Sequence, residues 1–213
     1  FYLSSSIATY MKWIEIDKKL AQSGLQAFTG REFLSVTGAT PVAGKFLLIR
    51  YTKRGLLQRP KRGLYAVASR PPSKWSLANR LYQPSYISLE SAMSYHGIIP
   101  ETVYSVTSVT TKSTREFDVA GTSYGFRTIK RRAFSGYRAV EVEGQSVLLA
   151  EKPKALADYL YFAYLKKTRL NSRLRLKEVN RRDLMKCLAA FEHPGLMEWF
   201  KNDLKITDNG TQH

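Results

Sequence analysis

Apolar positions near the start of the chain recur with helical spacing and predict a first helix, which Ser4–Ser6 can cap and Gly24 ends. The predicted buried face of this helix consists of Ile7, Met11, Ile14 and Leu20. Thr29 follows a short extended segment and can cap a second helix that Gly38 closes. Thr40 can cap a third helix, which has a proline at its first position and runs to Arg54.

Two strand-like runs, at 56–59 and 63–68, follow the third helix, and the basic turn Pro60-Lys61-Arg62 separates them. Three helices followed by a hairpin with a basic tip have the element order of a winged helix-turn-helix. The paired prolines of RPPSK at 70–74 lack amide donors and disfavour a helix before them. A linker is therefore predicted there, with one domain at 1–70 and a second at 71–213.

The second domain is predicted to begin with a helix that Ser88 caps and Gly97 ends. Alternating, β-branched runs then predict strands at 104–111, 116–119, 124–131, 137–142 and 146–149. Helical spacing returns and predicts three helices, which begin at Pro153, after Asn180 and at Pro194. The chain is thus predicted to be α+β, with an N-terminal winged helix-turn-helix domain and a mixed α/β C-terminal domain that is helical from about residue 152.

Composition adds a large positive charge, since 34 Lys and Arg against 17 Asp and Glu give a formal net charge of +17. The 44% hydrophobic content is sufficient for a core, and no apolar run reaches the length of a membrane span. The single cysteine, Cys187, excludes internal disulfides and cysteine-cluster metal sites. These features predict a cytoplasmic protein with a polyanionic partner.

The charge is concentrated at 31–70, where nine Lys and Arg are opposed by a single acid, Glu32. This excess favours nucleic acid over an ordinary solvated surface, and a membrane surface is the least favoured partner. Arg59, Lys61 and Arg62 are predicted at the hairpin tip, which projects from the core, and suit a phosphate backbone or an adjacent minor groove.

In a helix-turn-helix the third helix would enter the major groove of double-stranded DNA, with its N-terminal half facing base edges. Its predicted inner residues are Gly44, Leu47, Leu48 and Tyr51. Around the other side lie Val42, Lys45, Phe46, Ile49 and Lys53. Thr40, Val42 and Lys45 are candidates for base contacts, and Arg50 and Arg54 for phosphate contacts. Because this face is unusually apolar, a helix buried on both sides, with the hairpin binding DNA, is the alternative.

No catalytic motif is evident, and none of the three histidines lies near Cys187 or a carboxylate pair in the sequence. His96 and Cys187 are expected to be structural, and no cofactor or metal is expected. The predicted strands do carry two same-face acid pairs, Glu116/Asp118 and Glu141/Glu143, with Glu151, Lys152 and Lys154 nearby. These acids leave a metal-dependent nuclease as the enzymatic alternative to a non-enzymatic protein.

Five segments carry a resemblance to a known family: KRGLLQRPKRGLYAV (53–67), PSYISLESAMSYHGIIPETVYSVTSVT (84–110), the TR-x-F motif (114–117), IKRRAFSGY (129–137) and AEKPKALADYLYF (150–162). Together they resemble the AbiEi-type antitoxins of abortive-infection, type IV toxin–antitoxin systems. The family's basic-Gly-x-Tyr hairpin motif is intact from Arg62 to Tyr65, whereas its Pro-Glu-Lys-Ala-Leu motif has the altered order Glu151-Lys152-Pro153-Lys154-Ala155-Leu156.

The resemblance implies two functions. The winged helix would repress its own operon by binding promoter repeats, and the C-terminal domain would counter a nucleotidyltransferase-like toxin without forming a stable complex with it. Two alternatives remain open from the residues. One is an enzyme, either the nuclease above or an activity that modifies a toxin. The other is a module whose basic surface binds an acidic protein.

Overall fold

A computed structural model describes residues 12–202, except for the side chain of Glu178, and the chain forms two compact units. The N-terminal unit extends to Leu81, and the C-terminal unit begins at Tyr82. Each unit contains helices and a β-sheet, so the fold class is α+β, as predicted. Within residues 12–202, no helix has both the length and the apolar character needed to cross a lipid bilayer.

The N-terminal unit has the helix and strand order of a winged helix-turn-helix, which confirms the predicted architecture. Its elements are α1 (Trp13–Gln22), β1 (Ala27–Thr29), α2 (Gly30–Thr37), α3 (Pro41–Lys53), β2 (Leu57–Lys61), β3 (Leu64–Val67) and α4 (Lys74–Leu81). The central strand β3 pairs antiparallel with both β1 and β2. The β2–β3 hairpin is the wing.

Local hydrogen bonds and a left-handed glycine fix the start of α2 and the turn between α2 and α3, as the sequence predicts. The Thr29 hydroxyl accepts a bond from the Glu32 amide at 3.3 Å, and the Glu32 carboxylate accepts one from the Thr29 amide at 2.7 Å. Gly38 ends α2 with a left-handed φ of 72°, which is costly for other residues. The Thr40 hydroxyl then accepts from the Ala43 amide at 3.3 Å and caps α3.

The core of the N-terminal unit lies among α1, α2, α3 and the sheet. It contains Ile16, Leu20, Phe28, Phe33, Ala39, Leu47, Leu48, Tyr51, Leu57 and Val67. The predicted buried face of α1 is wrong at Ile14, which is 74% exposed. Two positions along a helix correspond to a turn of roughly 200°, so Ile14 lies nearly opposite the buried Ile16. Ser4–Ser6, Ile7 and Met11 lie outside the described residues.

The unit boundary follows α4 and therefore lies later than the predicted linker. Ser73 caps α4 with its hydroxyl after the two prolines. Arg80 of α4 forms an ion pair with Glu32 of α2, and the Leu81 carbonyl accepts a hydrogen bond from the Lys61 ammonium. These bonds make α4 part of the N-terminal unit.

The C-terminal unit is built on a six-stranded mixed sheet with the order β6-β7-β5-β4-β9-β8. Its elements are β4 (Ser85–Ile87), α5 (Leu89–Tyr95), β5 (Val106–Thr110), β6 (Arg115–Val119), β7 (Thr122–Thr128), β8 (Tyr137–Val142), β9 (Gln145–Ala150), α6 (Lys152–Tyr164), α7 (Arg181–Ala189) and α8 (Leu196–Asn202). The parallel pairs are β4 with β9 and β5 with β7, and the other neighbours are antiparallel. Helix α6 packs against α5, α7 and α8.

A buried ion pair within α6 is linked by a hydrogen bond to the start of α5. The Lys154 ammonium lies 2.7 Å from Oδ1 of Asp158, one helical turn later, and both side chains are almost completely buried. Oδ2 of Asp158 accepts hydrogen bonds from the Ser88 hydroxyl at 2.7 Å and from the Tyr86 hydroxyl at 3.0 Å. Ser88 precedes α5 as predicted, but its hydroxyl bonds to Asp158 and not to an amide of α5.

Candidate nucleic-acid interface

Helix α3 has one buried face and one solvent-exposed face. Gly44, Leu47, Leu48 and Tyr51 are buried, as predicted. On the opposite face, Val42 is 67% exposed, Phe46 is 60% exposed and Ile49 is 44% exposed. The alternative of a helix buried on both sides is therefore wrong for this unit. The outer face of α3 is available to a partner.

The polar candidates of α3 are all exposed. They are Thr40, Lys45, Arg50, Lys53 and Arg54. Thr40 has a second role, since its hydroxyl caps the helix. The Arg54 guanidinium carbon lies 5.8 Å from the centre of the Tyr51 ring. The remaining cations surround the exposed apolar residues, so this face combines apolar and cationic groups.

The wing carries its cations differently from the prediction. Strand β2 continues through Lys61, which pairs with Leu64, and the turn is formed by Arg62 and Gly63. Arg59 and Arg62 are exposed. Lys61 is half-buried and donates to the Leu81 carbonyl, so its prediction as a free cation at the tip is wrong. The cause is tertiary, because its hydrogen-bond acceptor lies in α4.

The single acid of the 31–70 segment does not neutralise this face. The Glu32 carboxylate is engaged by Arg80 and by both the amide and the hydroxyl of Thr29. Burial raises the pKa of Glu32, but the hydrogen bonds from Arg80 and Thr29 outweigh it and hold the pKa below its ordinary value. Glu32 is thus charged and already paired.

Helix α3 and the wing each contribute one cation, Lys45 and Arg59, to a concave surface between them. A cavity of about 320 Å³ is lined by Lys45 and Ile49 from α3 and by Arg59 and Tyr65 from the wing. The Arg59 guanidinium carbon lies 5.9 Å from the centre of the Tyr65 ring. Within residues 12–202, no carboxylate forms an ion pair with the exposed cations of this surface. We call Lys45, Arg50, Lys53, Arg54, Arg59 and Arg62 the cationic face.

The acids of the nuclease alternative are not brought together. Glu116 and Asp118 lie on β6, and Glu141 lies on β8, at the two opposite ends of the sheet order. Five inter-strand spacings separate these strands, or about 24 Å. Glu143 lies beyond the end of β8, and Lys154 is buried in its ion pair with Asp158. Among the described residues, no group of three or more His, Cys, Asp or Glu is placed to hold a metal ion.

His96 and Cys187 are both half-buried in the C-terminal unit. Nε2 of His96 lies 2.8 Å from the Ala150 carbonyl and, as the protonated nitrogen, donates to it. Burial lowers the pKa of His96, so the imidazole is neutral at physiological pH. Burial also raises the pKa of Cys187, which keeps the thiol protonated and weakly nucleophilic.

Three features were missed by sequence reasoning. Helix α4 was not predicted, although Ser73 has a good capping position and Leu77 and Leu81 share a helical face. The Lys154–Asp158 ion pair was not predicted either, although the residues have the i, i+4 spacing of a helical ion pair. Strand β4, at 85–87, is only three residues long and has no alternation to reveal it.

No protein-family model matches the chain, and a search of curated proteins finds no significant match. The likeness to AbiEi-type antitoxins therefore stays a prediction from the motifs at 53–67, 84–110 and 150–162. Any functional conclusion about the N-terminal unit depends on the exposure and charge of α3 and the wing.

Proposed function

We propose that the chain is a non-enzymatic, DNA-binding transcriptional autorepressor and antitoxin. The first part of the proposal rests on the cationic face. Its side chains lie on α3 and the wing, and none of them forms an ion pair with a carboxylate of the described residues. Helix-turn-helix proteins place this helix in the major groove, and exposed Lys and Arg contact the flanking phosphates.

The geometry suits a duplex better than a compact acidic protein. The cations occur on two separate elements that line one concave surface, as required to contact a groove and the phosphates beside it. Phosphates occur at regular, closely spaced positions along both strands, so many of the cations can be neutralised at once. A small acidic patch on a protein would leave some of them unpaired.

The test is binding of the full chain to duplexes selected by the chain from a random library. We expect enrichment of one sequence and a binding constant that falls steeply with salt, by roughly 0.9 in logarithmic slope for each phosphate contacted. Affinity that is insensitive to salt, or equal for selected and random duplexes, would contradict a sequence-specific repressor.

Substitution of Lys45 should change specificity more than general affinity. Lys45 is exposed in the first half of α3, where side chains face base edges in a major-groove complex. We expect Lys45→Ala to weaken binding to the selected duplex by about 1–3 kcal/mol, with a smaller loss on random duplex. Lys53→Ala is the matched control from the end of the same helix. Equal losses on both duplexes for Lys45→Ala would mean that Lys45 contacts only phosphate.

The second part of the proposal, antitoxin activity, is supported by the resemblance, whose most specific motifs, at 84–110 and 150–162, lie in the C-terminal unit. We expect this unit to counter a nucleotidyltransferase-like toxin whose gene neighbours the gene of this chain. The unit and the toxin would not form a stable complex. The toxin to be used in the test is the product of that neighbouring gene.

Antitoxin activity should survive when DNA binding is lost. We expect residues 82–213, which form their own compact unit, to fold alone and to protect cells from the co-expressed toxin. A full chain with the cationic face replaced by alanine should protect equally, which guards against a fragment that merely folds poorly. Folding is checked by circular dichroism. Loss of protection in both folded proteins would contradict the assignment of antitoxin activity to the C-terminal unit.

A further inference from the structure

The outer face of α3 carries an apolar stripe in addition to its cations. Val42, Phe46 and Ile49 occur at positions i, i+4 and i+7, so they form one line along the helix. All three are exposed, and Phe46 is 60% exposed. Such side chains are expensive to leave in water beside a charged surface, and a contiguous apolar stripe indicates a binding partner.

The charge around the stripe identifies its partner. Exposed Lys45, Arg50 and Lys53 lie on the same helix, and Arg59 and Arg62 lie on the wing. A second copy of this chain would bring like charges together, which is unfavourable. Duplex DNA offers phosphates to these cations and a groove between them for α3. Charge complementarity therefore favours the major groove as the surface that covers the stripe.

The major groove offers one apolar group to such a stripe. Thymine presents its C5-methyl group there, and apolar side chains contact it. The stripe from Val42 to Ile49 extends about 10 Å along the helix axis, which is the length of roughly three base-pair steps. This matches a short run of consecutive base pairs.

We propose that Val42, Phe46 and Ile49 recognise thymine methyl groups, so that the operator half-site carries thymines opposite α3. The proposal depends on the DNA-binding function proposed above and deepens it, because it names the chemical group that gives specificity. Lys45, between Val42 and Phe46 in the sequence, supplies the polar base contact beside the methyl groups.

The experiment replaces thymine with deoxyuridine in the duplex selected by the full chain. Deoxyuridine keeps every hydrogen-bonding group and lacks only the C5-methyl. We expect the affinity to fall about fourfold for each methyl group that is contacted. A random duplex, made with thymine and with deoxyuridine, is the control and should show little difference.

Protein variants connect the methyl effect to the stripe. Phe46→Ala, at an exposed helical position, should lower affinity for the thymine duplex and reduce the ratio of thymine to deoxyuridine affinity by about fourfold. Ile14→Ala is the matched control, because Ile14 is an exposed apolar residue of α1 and lies outside α3 and the wing. It should leave the ratio unchanged.

The possible results are distinguishable. If the chain binds no duplex with sequence preference, both this inference and the proposed function are overturned. If it binds a preferred duplex with the same affinity for the thymine and deoxyuridine forms, only this inference is overturned. If the ratio of thymine to deoxyuridine affinity persists after alanine replaces each of Val42, Phe46 and Ile49, the methyl groups act through DNA shape, and this inference is overturned. Loss of self-association in Phe46→Ala, with an unchanged ratio, would make the stripe an interface between copies.

Discussion

Alanine at five positions of the cationic face should weaken binding to the operator by about 10³–10⁴-fold at physiological salt. The positions are Arg50, Lys53, Arg54, Arg59 and Arg62. Each phosphate contact carries roughly 0.9 of the logarithmic salt slope, so loss of all five should lower the slope by about 4.5. The measurement is the binding constant as a function of salt concentration, for the selected duplex and for random duplex.

The fold should tolerate these changes, because all five side chains are exposed and form no ion pair with a carboxylate among residues 12–202. A control variant removes the same charge from exposed residues of the C-terminal unit, namely Lys167, Arg169, Arg175, Lys177 and Arg182. If the effect depends only on net charge, both variants lose affinity equally. That outcome would contradict a localised interface.

Lys61→Ala should behave differently from the five other substitutions. Its ammonium donates to the Leu81 carbonyl, so the variant should lower the stability of the N-terminal unit and leave the salt slope nearly unchanged.

Lys154→Met should destabilise the C-terminal unit by about 3–5 kcal/mol at neutral pH. The substitution leaves Asp158 buried without its cation, while the hydroxyls of Ser88 and Tyr86 still donate to it. A double variant, Lys154→Met with Asp158→Leu, removes both charges. It should recover much of the loss, since two well-packed apolar side chains can replace a buried ion pair. Urea unfolding monitored by circular dichroism measures both variants.

The loss in Lys154→Met should shrink as the pH falls. Burial raises the pKa of Asp158, and the Lys154 ammonium is the strongest of the groups that oppose this. Without Lys154 the pKa of the folded state rises further above the unfolded value near 3.8. A group with a raised folded pKa binds its proton more readily when folded, so stability falls as pH rises through that pKa.

Relative to the double variant, Lys154→Met should therefore regain stability as the pH falls from neutral toward the unfolded pKa near 3.8. A stability difference between these two variants that is constant with pH would show that Asp158 does not change its protonation over that interval.

Signals that depend on neighbouring residues made much of the fold predictable. The caps at Thr29 and Thr40 and the left-handed glycine at Gly38 are encoded within a few residues, and the structure confirms them. The predicted buried face of α1 was wrong in part. It was assigned from the apolar residues at positions 7, 11 and 14, whereas the described helix buries Ile16 and Leu20.

Helix α4 was missed although its signals are local, but other features that sequence reasoning missed depend on contacts between distant residues. The role of Lys61 is set by the Leu81 carbonyl, twenty positions away in the sequence. Lys154 and Asp158 were visible as part of a motif, but their burial follows from packing of α6 against α5 and α7. At the candidate interface, exposure of Phe46 could not be read from an apolar residue type, which is equally common in a core.

The acids that first suggested a nuclease have a different physical consequence where the structure places them. Within the described residues, β6 and β8 are the outer strands of the six-stranded sheet, and such strands have unpaired amides and carbonyls that can template another chain. Glu116 and Asp118 are exposed on one outer strand, and Glu141 on the other. A strand added at either side would have to accommodate these charges. The carboxylates therefore protect the open sheet against edge-to-edge aggregation.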